Sequence, residues 1–313
     1  MFQRLLLVCA CIGYLSGGAL AAEHWKSAPL RDDTVPASIL PETGKTAPDG
    51  VPHGLIATQT ERPDIAAAWY AGPTTRYAHG ILGDAIEASI LKIKTRTGRI
   101  LSLTLPEAEV FEDRYPRLAD LDGDGTTEIV TIRSSVSLGA AVTVYGLRGD
   151  VLRQVATTKF IGLANRWLNI AGIAPFRGGP GKEIAYVQTP HIGGTLFMYA
   201  YENERLIRVG SLFGFSNHII GSTEMRLSAV ADIDGDGRPE LALPSADRRR
   251  LRVVGFNDRR LIDRGAAVLP SPIDKAIATR GTGRAIRFIV GLENGRLLGI
   301  GRSPISGTPR PAP

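Results

Sequence analysis

Cysteine is almost missing from this chain. Of 313 residues only Cys9 and Cys11 carry thiols, and both lie in the first eleven positions. Met1 to Arg4 form a short, positively charged start, an apolar run follows from Leu5 to about Tyr14, and small residues lead to Ala19-Leu20-Ala21 before Ala22. That is the grammar of a secretory leader over residues 1–21. Its removal leaves no thiol, which excludes disulfides, thiolate catalysis and cysteine-ligated metals together. Long apolar runs are missing too: the leader's own stretch is too short and too weakly flanked to span a membrane, and no later one is longer. Helical periodicity is nearly absent, and aromatics make up only 6% of the chain.

With 43% hydrophobic and 22% charged residues the chain can bury a large core. The formal charge of +6 drops to +5 when Arg4 leaves with the leader. This basicity sits in stretches such as "KIKTRTGR" at Lys92 and "DRRRLR" at Asp247, where no aromatic residues interleave with the cations. They read as solvated strand edges, and a nucleic-acid partner is not expected. The leader places the chain in the periplasm or outside the cell. A lipid anchor at Cys11 is the minor reading, because Val8-Cys9-Ala10-Cys11 only vaguely resembles a lipobox and little apolar sequence precedes it.

Residues 22–63 are rich in Pro, Thr, Asp and Gly without apolar periodicity and read as an extended arm or linker; residues 303–313, "SPISGTPRPAP", read as a disordered tail. Between them, residues 64–302 repeat. From Tyr115 come "YPRLADLD", "EIVTIRSS", "GAAVTVYGLRGD" and "VLRQVATTKF", four alternating or β-branched runs separated by turn residues. The order recurs from Trp167 and from Met225, a reduced copy follows near Ile273, and a degenerate copy with "YAHGILGD" and "AIEASILKIKTRTG" precedes them all. About five copies at a spacing of roughly 40 to 60 residues point to an all-β fold, a β-propeller of four-stranded antiparallel blades. Six or seven blades follow if the arm contributes more. The ring has to close, and "DIAAAWYAG" at Asp64, which has no blade of its own in this reading, is expected to complete the last blade.

Two loops carry chemistry: "DLDGDGTTE" from Asp120 and "DIDGDGRPE" from Asp232. Each packs four carboxylates into nine residues: Asp120, Asp122, Asp124 and Glu128 in one, Asp232, Asp234, Asp236 and Glu240 in the other. Such groups repel one another unless a cation sits among them, and flexible oxygen-only ligation favours Ca²⁺ over Mg²⁺. The carbonyls of Thr126 and Arg238 fall at position 7, after a turn at Gly125 and Gly237. A helix-loop-helix calcium hand needs glutamate at position 12, where Thr131 and Leu243 stand; here the acid comes at position 9 and a strand follows.

Both loops, each between two strands of a repeating unit, resemble the FG-GAP or VCBS repeat family, whose repeats also build the integrin α-subunit propeller. The resemblance implies a propeller with about two Ca²⁺ ions in blade loops, ligated by the eight carboxylates and two carbonyls named above. The other copies keep less: Asp84 and Glu87 in the first, Glu183 in the third, none in "TRGTGRA".

No motif marks a reaction. His79, His191 and His218 stand at loops or strand ends without an adjoining carboxylate and read as hydrogen-bonded turn residues. Trp69, Tyr70 and Trp167 could stack on a sugar but are explained by packing. "GGPGK" at Gly178 lacks phosphate-loop spacing. The expectation is therefore a calcium-stabilised, monomeric, non-catalytic module that binds a protein or glycan at the cell envelope or outside the cell. The alternatives are a propeller hydrolase or lyase acting on polysaccharide, which requires acid/base groups converging in one pocket, and a lectin, which requires exposed aromatic pockets.

Overall fold

The computed structural model describes residues 25–30 and 36–302. The leader, Cys11 and the tail all lie outside the described residues. Strand β1 (Trp25–Pro29) comes first and waits for its partner. A first four-stranded meander follows: β2 (Ala57–Thr58), β3 (Ile65–Thr74), β4 (Glu87–Thr95) and β5 (Ile100–Thr104), each antiparallel to the next. The short β6 (Glu109–Phe111) bridges it to the second meander, β7 (Arg117–Ala119), β8 (Glu128–Ser135), β9 (Gly139–Arg148) and β10 (Val151–Thr157). The third is β11 (Leu168–Ala174), β12 (Glu183–Gln188), β13 (Thr195–Glu202) and β14 (Arg205–Phe213). The fourth is β15 (Ala229–Ala231), β16 (Glu240–Pro244), β17 (Arg250–Asn257) and β18 (Arg260–Val268). The fifth has only β19 (Ala278–Arg280), β20 (Arg287–Gly291) and β21 (Leu297–Arg302) of its own, and β1 pairs antiparallel with β21 as its fourth strand.

Two expectations are corrected here. "DIAAAWYAG" is β3, the second strand of the first meander, and "YAHGILGD" forms no strand but belongs to the β3–β4 connection. The strand that completes the fifth sheet comes instead from the stretch read as an arm. Its residues gave no periodic signal because only Trp25 is buried while the other four face outward, as befits an edge.

Alternation along the strands sends one face of each sheet to each neighbour. On β12, Ile184 and Tyr186 pack in the cluster shared with the second meander, and Ala185 and Val187 in the one shared with the fourth. On β16, Leu241 and Leu243 face the third sheet and Ala242 the fifth. Ile65, Leu91, Ile129 and Tyr145 likewise join the first sheet to the second. The outer face of the fifth sheet is covered differently: Ile289 packs on Ile39 and Leu30. The segment after Ile39 then runs to the first meander, where Gly50 bridges Ala71 and the Leu55 amide donates to the Arg114 carbonyl.

In each of the first four meanders the first-to-second connection and the third-to-fourth hairpin lie at one end, and the second-to-third connection lies at the other together with the chain leading to the next sheet. Both acidic loops are first-to-second connections. His79, His191 and His218 all stand on connections of the opposite end.

Candidate functional site

The acidic loops fold alike because the same residues recur at the same positions. Asp120 accepts the Gly123 amide at 2.8 Å and the Gly125 amide at 3.1 Å; Asp232 accepts those of Gly235 and Gly237 at 2.7 and 3.0 Å. Curling the chain back onto one carboxylate takes φ of 81° and 92° at Gly123 and Gly125, a left-handed turn in which a Cβ is unfavourable. Glu128 accepts the Leu121 amide at 3.0 Å and Glu240 the Ile233 amide at 3.1 Å, so the position-9 acid closes each loop. The Thr126 amide donates to Asp124 and the Arg238 amide to Asp236.

Carboxylate oxygens of Asp120, Asp122 and Asp124 lie within 4.8 Å of one another, as do those of Asp232, Asp234 and Glu240. Glu128 and Asp236 stand outside these groups. Burial pushes both Glu128 and Glu240 up to about 7, and neighbouring aspartates add to it. Arginines partly offset the negative charge: Arg62 lies 3.2 Å from Asp120, and Arg264 pairs with Asp234 and Glu240. Each cluster, made only of oxygen donors, could hold a metal ion. In the third meander Glu183 pairs with Arg177 at 2.8 Å. Asp84 and Glu87 belong to the β3–β4 connection and the head of β4, at the end away from the acidic loops.

The opposite end holds a cavity of about 290 Å³ whose lining includes His79, Asn165, Arg166, Trp167, Thr189 and His191. These residues come from three connections that no local sequence signal links. His79 Nδ1 lies 2.5 Å from Glu112 Oε1, and the other oxygen of Glu112 accepts the Ser134 hydroxyl. A carboxylate on Nδ1 orients the ring and leaves Nε2 as the acceptor, the arrangement of a histidine general base. Glu112 is fully buried; burial raises its pKa, while His79 and Ser134 pull it down.

Hydrogen bonding assigns the tautomers of the other two rings. His218 Nε2 must donate to the Ser222 carbonyl, 2.9 Å away, so His218 Nδ1 accepts from His191 Nε2 at 3.1 Å and His191 Nδ1 is left bare. Burial lowers His191 to about 4 and His218 to about 3, and both rings stay neutral near pH 7. Beneath them lies Trp167, buried, parallel to His191 at 6.2 Å and edge-on to His218 at 4.6 Å, with Nε1 donating to the Glu112 carbonyl. The three histidines read from the sequence as turn residues therefore gather at one place. Glu112, missed by sequence reasoning, stands 33 residues from His79 in a stretch without a motif.

Of the aromatics that could stack on a sugar, two are engaged within the fold. Tyr70 is buried and donates to Asp113, and Trp69 donates to Asp49. The basic stretches are also engaged: Lys92 pairs with Asp49, Arg99 with Asp150, Arg248 with Glu293 and Arg252 with Asp263. No helix among the described residues is long and apolar enough to cross a membrane.

No protein-family model matches the chain, and no curated protein is similar to it. Among solved structures it is similar to the exotype rhamnogalacturonan lyase YesX, at 16% identity and a TM-score of 0.48, over 72% of this chain and 42% of that one. It is similar to rhamnogalacturonan lyase YesW at 15% and 0.47, over 72% and 44%, and to the Bacillus licheniformis rhamnogalacturonan lyase PL11 at 14% and 0.44, over 86% and 50%. The chain spans half or less of the length of these lyases. A likeness this distant assigns no activity. The expectation of a non-catalytic binding or scaffold module rested on finding no convergent base, whereas the structure sets Glu112 against His79 at the wall of a cavity. That expectation is corrected.

Proposed function

We propose that the chain is a calcium-stabilised β-propeller of five blades that acts as a lyase on an acidic polysaccharide, with its chemistry in the histidine cavity. The observation that carries this reading is the convergence of His79 and His191 on one cavity, with Glu112 behind His79 and the buried His218 behind His191. The propeller reading is supported by five successive meanders, each sharing a core with the next. Calcium binding and membership in the FG-GAP/VCBS repeats rest on the two acidic loops. Asp120, Asp122, Asp124, the Thr126 carbonyl and Glu128 would hold one ion, and Asp232, Asp234, Asp236, the Arg238 carbonyl and Glu240 the other. Calcium there would neutralise the carboxylates and stiffen the loops. Glu128 and Ser134 are six residues apart on β8, about 20 Å at the strand rise, so the first loop is too far from Glu112 to join its chemistry. Export remains part of the proposal.

The choice of lyase follows from what lines the cavity. Glycoside hydrolysis uses a pair of carboxylic acids flanking the bond, and the lining among the described residues contains no carboxylate. An imidazole base suits removal of a carbon-bound proton beside an acyl group. His79 Nε2 takes that proton, the C–H electron pair becomes a C=C bond, the glycosidic C–O bond breaks, and the leaving oxygen takes the proton from the imidazolium. The bare His191 Nδ1 accepts a substrate hydroxyl, and Arg166, the one Lys, Arg, Asp or Glu among the described residues lining the cavity, pairs with the substrate's acid group.

Incubation with neutral and acidic polysaccharides, rhamnogalacturonan included, tests the reading through the near-ultraviolet absorbance of newly formed unsaturated ends. Cleavage of an acidic polymer is expected, with the rate cut about a hundredfold or more in His79→Ala. Cleavage of none of them, or a His79→Ala rate equal to that of the wild type, would overturn it.

A further inference from the structure

The register of the first sheet brings two buried acids face to face. Ala88 of β4 pairs with Phe111 of β6 in antiparallel register, and one step further the same register sets Glu87 opposite Glu112. Like charges directly opposed across a strand pair destabilise a sheet, and burial removes the water that would screen them. Glu112 is fully buried and Glu87 is 3% exposed.

Their neighbours do not treat the two alike. Glu112 is met on one oxygen by His79 and on the other by Ser134. The adjacent Asp113 is compensated by Arg117 and by hydrogen bonds from Tyr70 and the Arg114 amide. Glu87 has no ion pair among the described residues. The groups that act on it are Glu112 and Asp113 from the chain after β6 and Asp84 from its own connection, all acids. Tyr77, a further titratable neighbour, is itself raised by burial and by both glutamates.

We infer that Glu87 and Glu112 share a single proton held on Glu87, and that Glu87 is a positioning residue that keeps Glu112 ionised to orient His79. A neutral acid opposite Glu112 removes the repulsion without competing for the imidazole. Both carboxyls ionised would leave a second buried charge with no cation. Burial first, then Glu112, raises Glu87 to about 9, in line with this arrangement. The catalytic meaning rests on the lyase reading; the proton arrangement does not, and it can be tested without a substrate.

Glu87→Gln replaces the neutral acid by a neutral amide of the same shape. A group whose folded pKa is raised holds its proton in the folded state while the unfolded chain has lost it, so wild-type stability falls as pH rises from about 4.5 to about 9. The folded-to-unfolded ratio of wild type relative to Glu87→Gln should therefore drop with rising pH across that window, by up to about tenfold per pH unit. Infrared spectroscopy of the wild type at pH 8, above the range in which Glu128 and Glu240 hold their protons, should show a buried protonated carboxyl band that fades on further alkaline titration and is missing from Glu87→Gln. A stability difference independent of pH, or no such band in the wild type at pH 8, overturns the inference. The wild-type spectrum decides even if the variant fails to fold. Loss of polysaccharide cleavage in His79→Ala bears on the lyase reading alone.

Discussion

At each acidic loop the aspartate at position 1 spends both oxygens on glycine amides, leaving Asp122 and Asp234 as the residues whose placement has least to do with shaping the turn. Among the described residues Asp122 accepts a hydrogen bond from the Asp124 amide alone, at 3.4 Å. Asp122→Ala should therefore leave the loop's backbone largely intact while removing a ligand charge, weakening calcium at that site by about tenfold or more. Calorimetric titration should then count one tight ion in place of two. Asp84→Ala, on a connection at the other end of the sheet, should leave the count unchanged. Equal effects from the two would refute the assignment of metal to the acidic loops. The loops were legible from the residues because every group that shapes them lies within nine positions. His79 was not: its meaning comes from Glu112, and the sequence shows Glu87 only as an acid left in a loop of the first copy, whereas the strand register sets it beside that glutamate.

Elements carry their own lesson. The second and third strands of the meanders could be read from their apolar and β-branched runs because both faces are buried; β8 and β9 are covered along nearly their whole length. Edge strand β1 could not, since a single residue of its five is buried. That residue does much of the docking: Trp25 lies 5.8 Å from Phe288 and joins the core shared by the fourth and fifth sheets. Trp25→Ala should cost about 3 kcal/mol, the low end for a buried tryptophan, because its Nε1 has no hydrogen-bond partner to lose. Chemical denaturation measures the loss. A cost under about 0.5 kcal/mol, the range of a surface substitution, would mean that β1 does not hold the fifth sheet.

For the molecule as a whole, the acidic loops and the histidine cavity stand at opposite ends, so the proposed calcium sites and the proposed chemistry can be tested separately. Calcium bound only to the folded state adds about 2.7 kcal/mol per site at a hundredfold excess over Kd. For a chain of this size that is about 5 °C in melting temperature per site. A thermal melt in chelator and in millimolar calcium should show the rise together with about two ions per chain by mass spectrometry. A midpoint that does not move would leave the acidic loops without a calcium role and the histidine cavity untouched.

What the sequence determined by itself is local: period-two strands cut by turn residues, meanders repeated along the chain, and two loops whose carboxylate spacing suits a cation. Those features obey rules that act within about ten residues. Tertiary structure decided the rest. The pairing of β1 with β21 runs through backbone amides and carbonyls, which every residue possesses and which leave no mark in the order of side chains. The meeting of His79, Glu112, His191 and His218 depends on connections from several sheets reaching the same end of the stack, and Glu87 opposes Glu112 only because of the register between β4 and β6. Sheet order and register, not sequence neighbourhood, assembled the site.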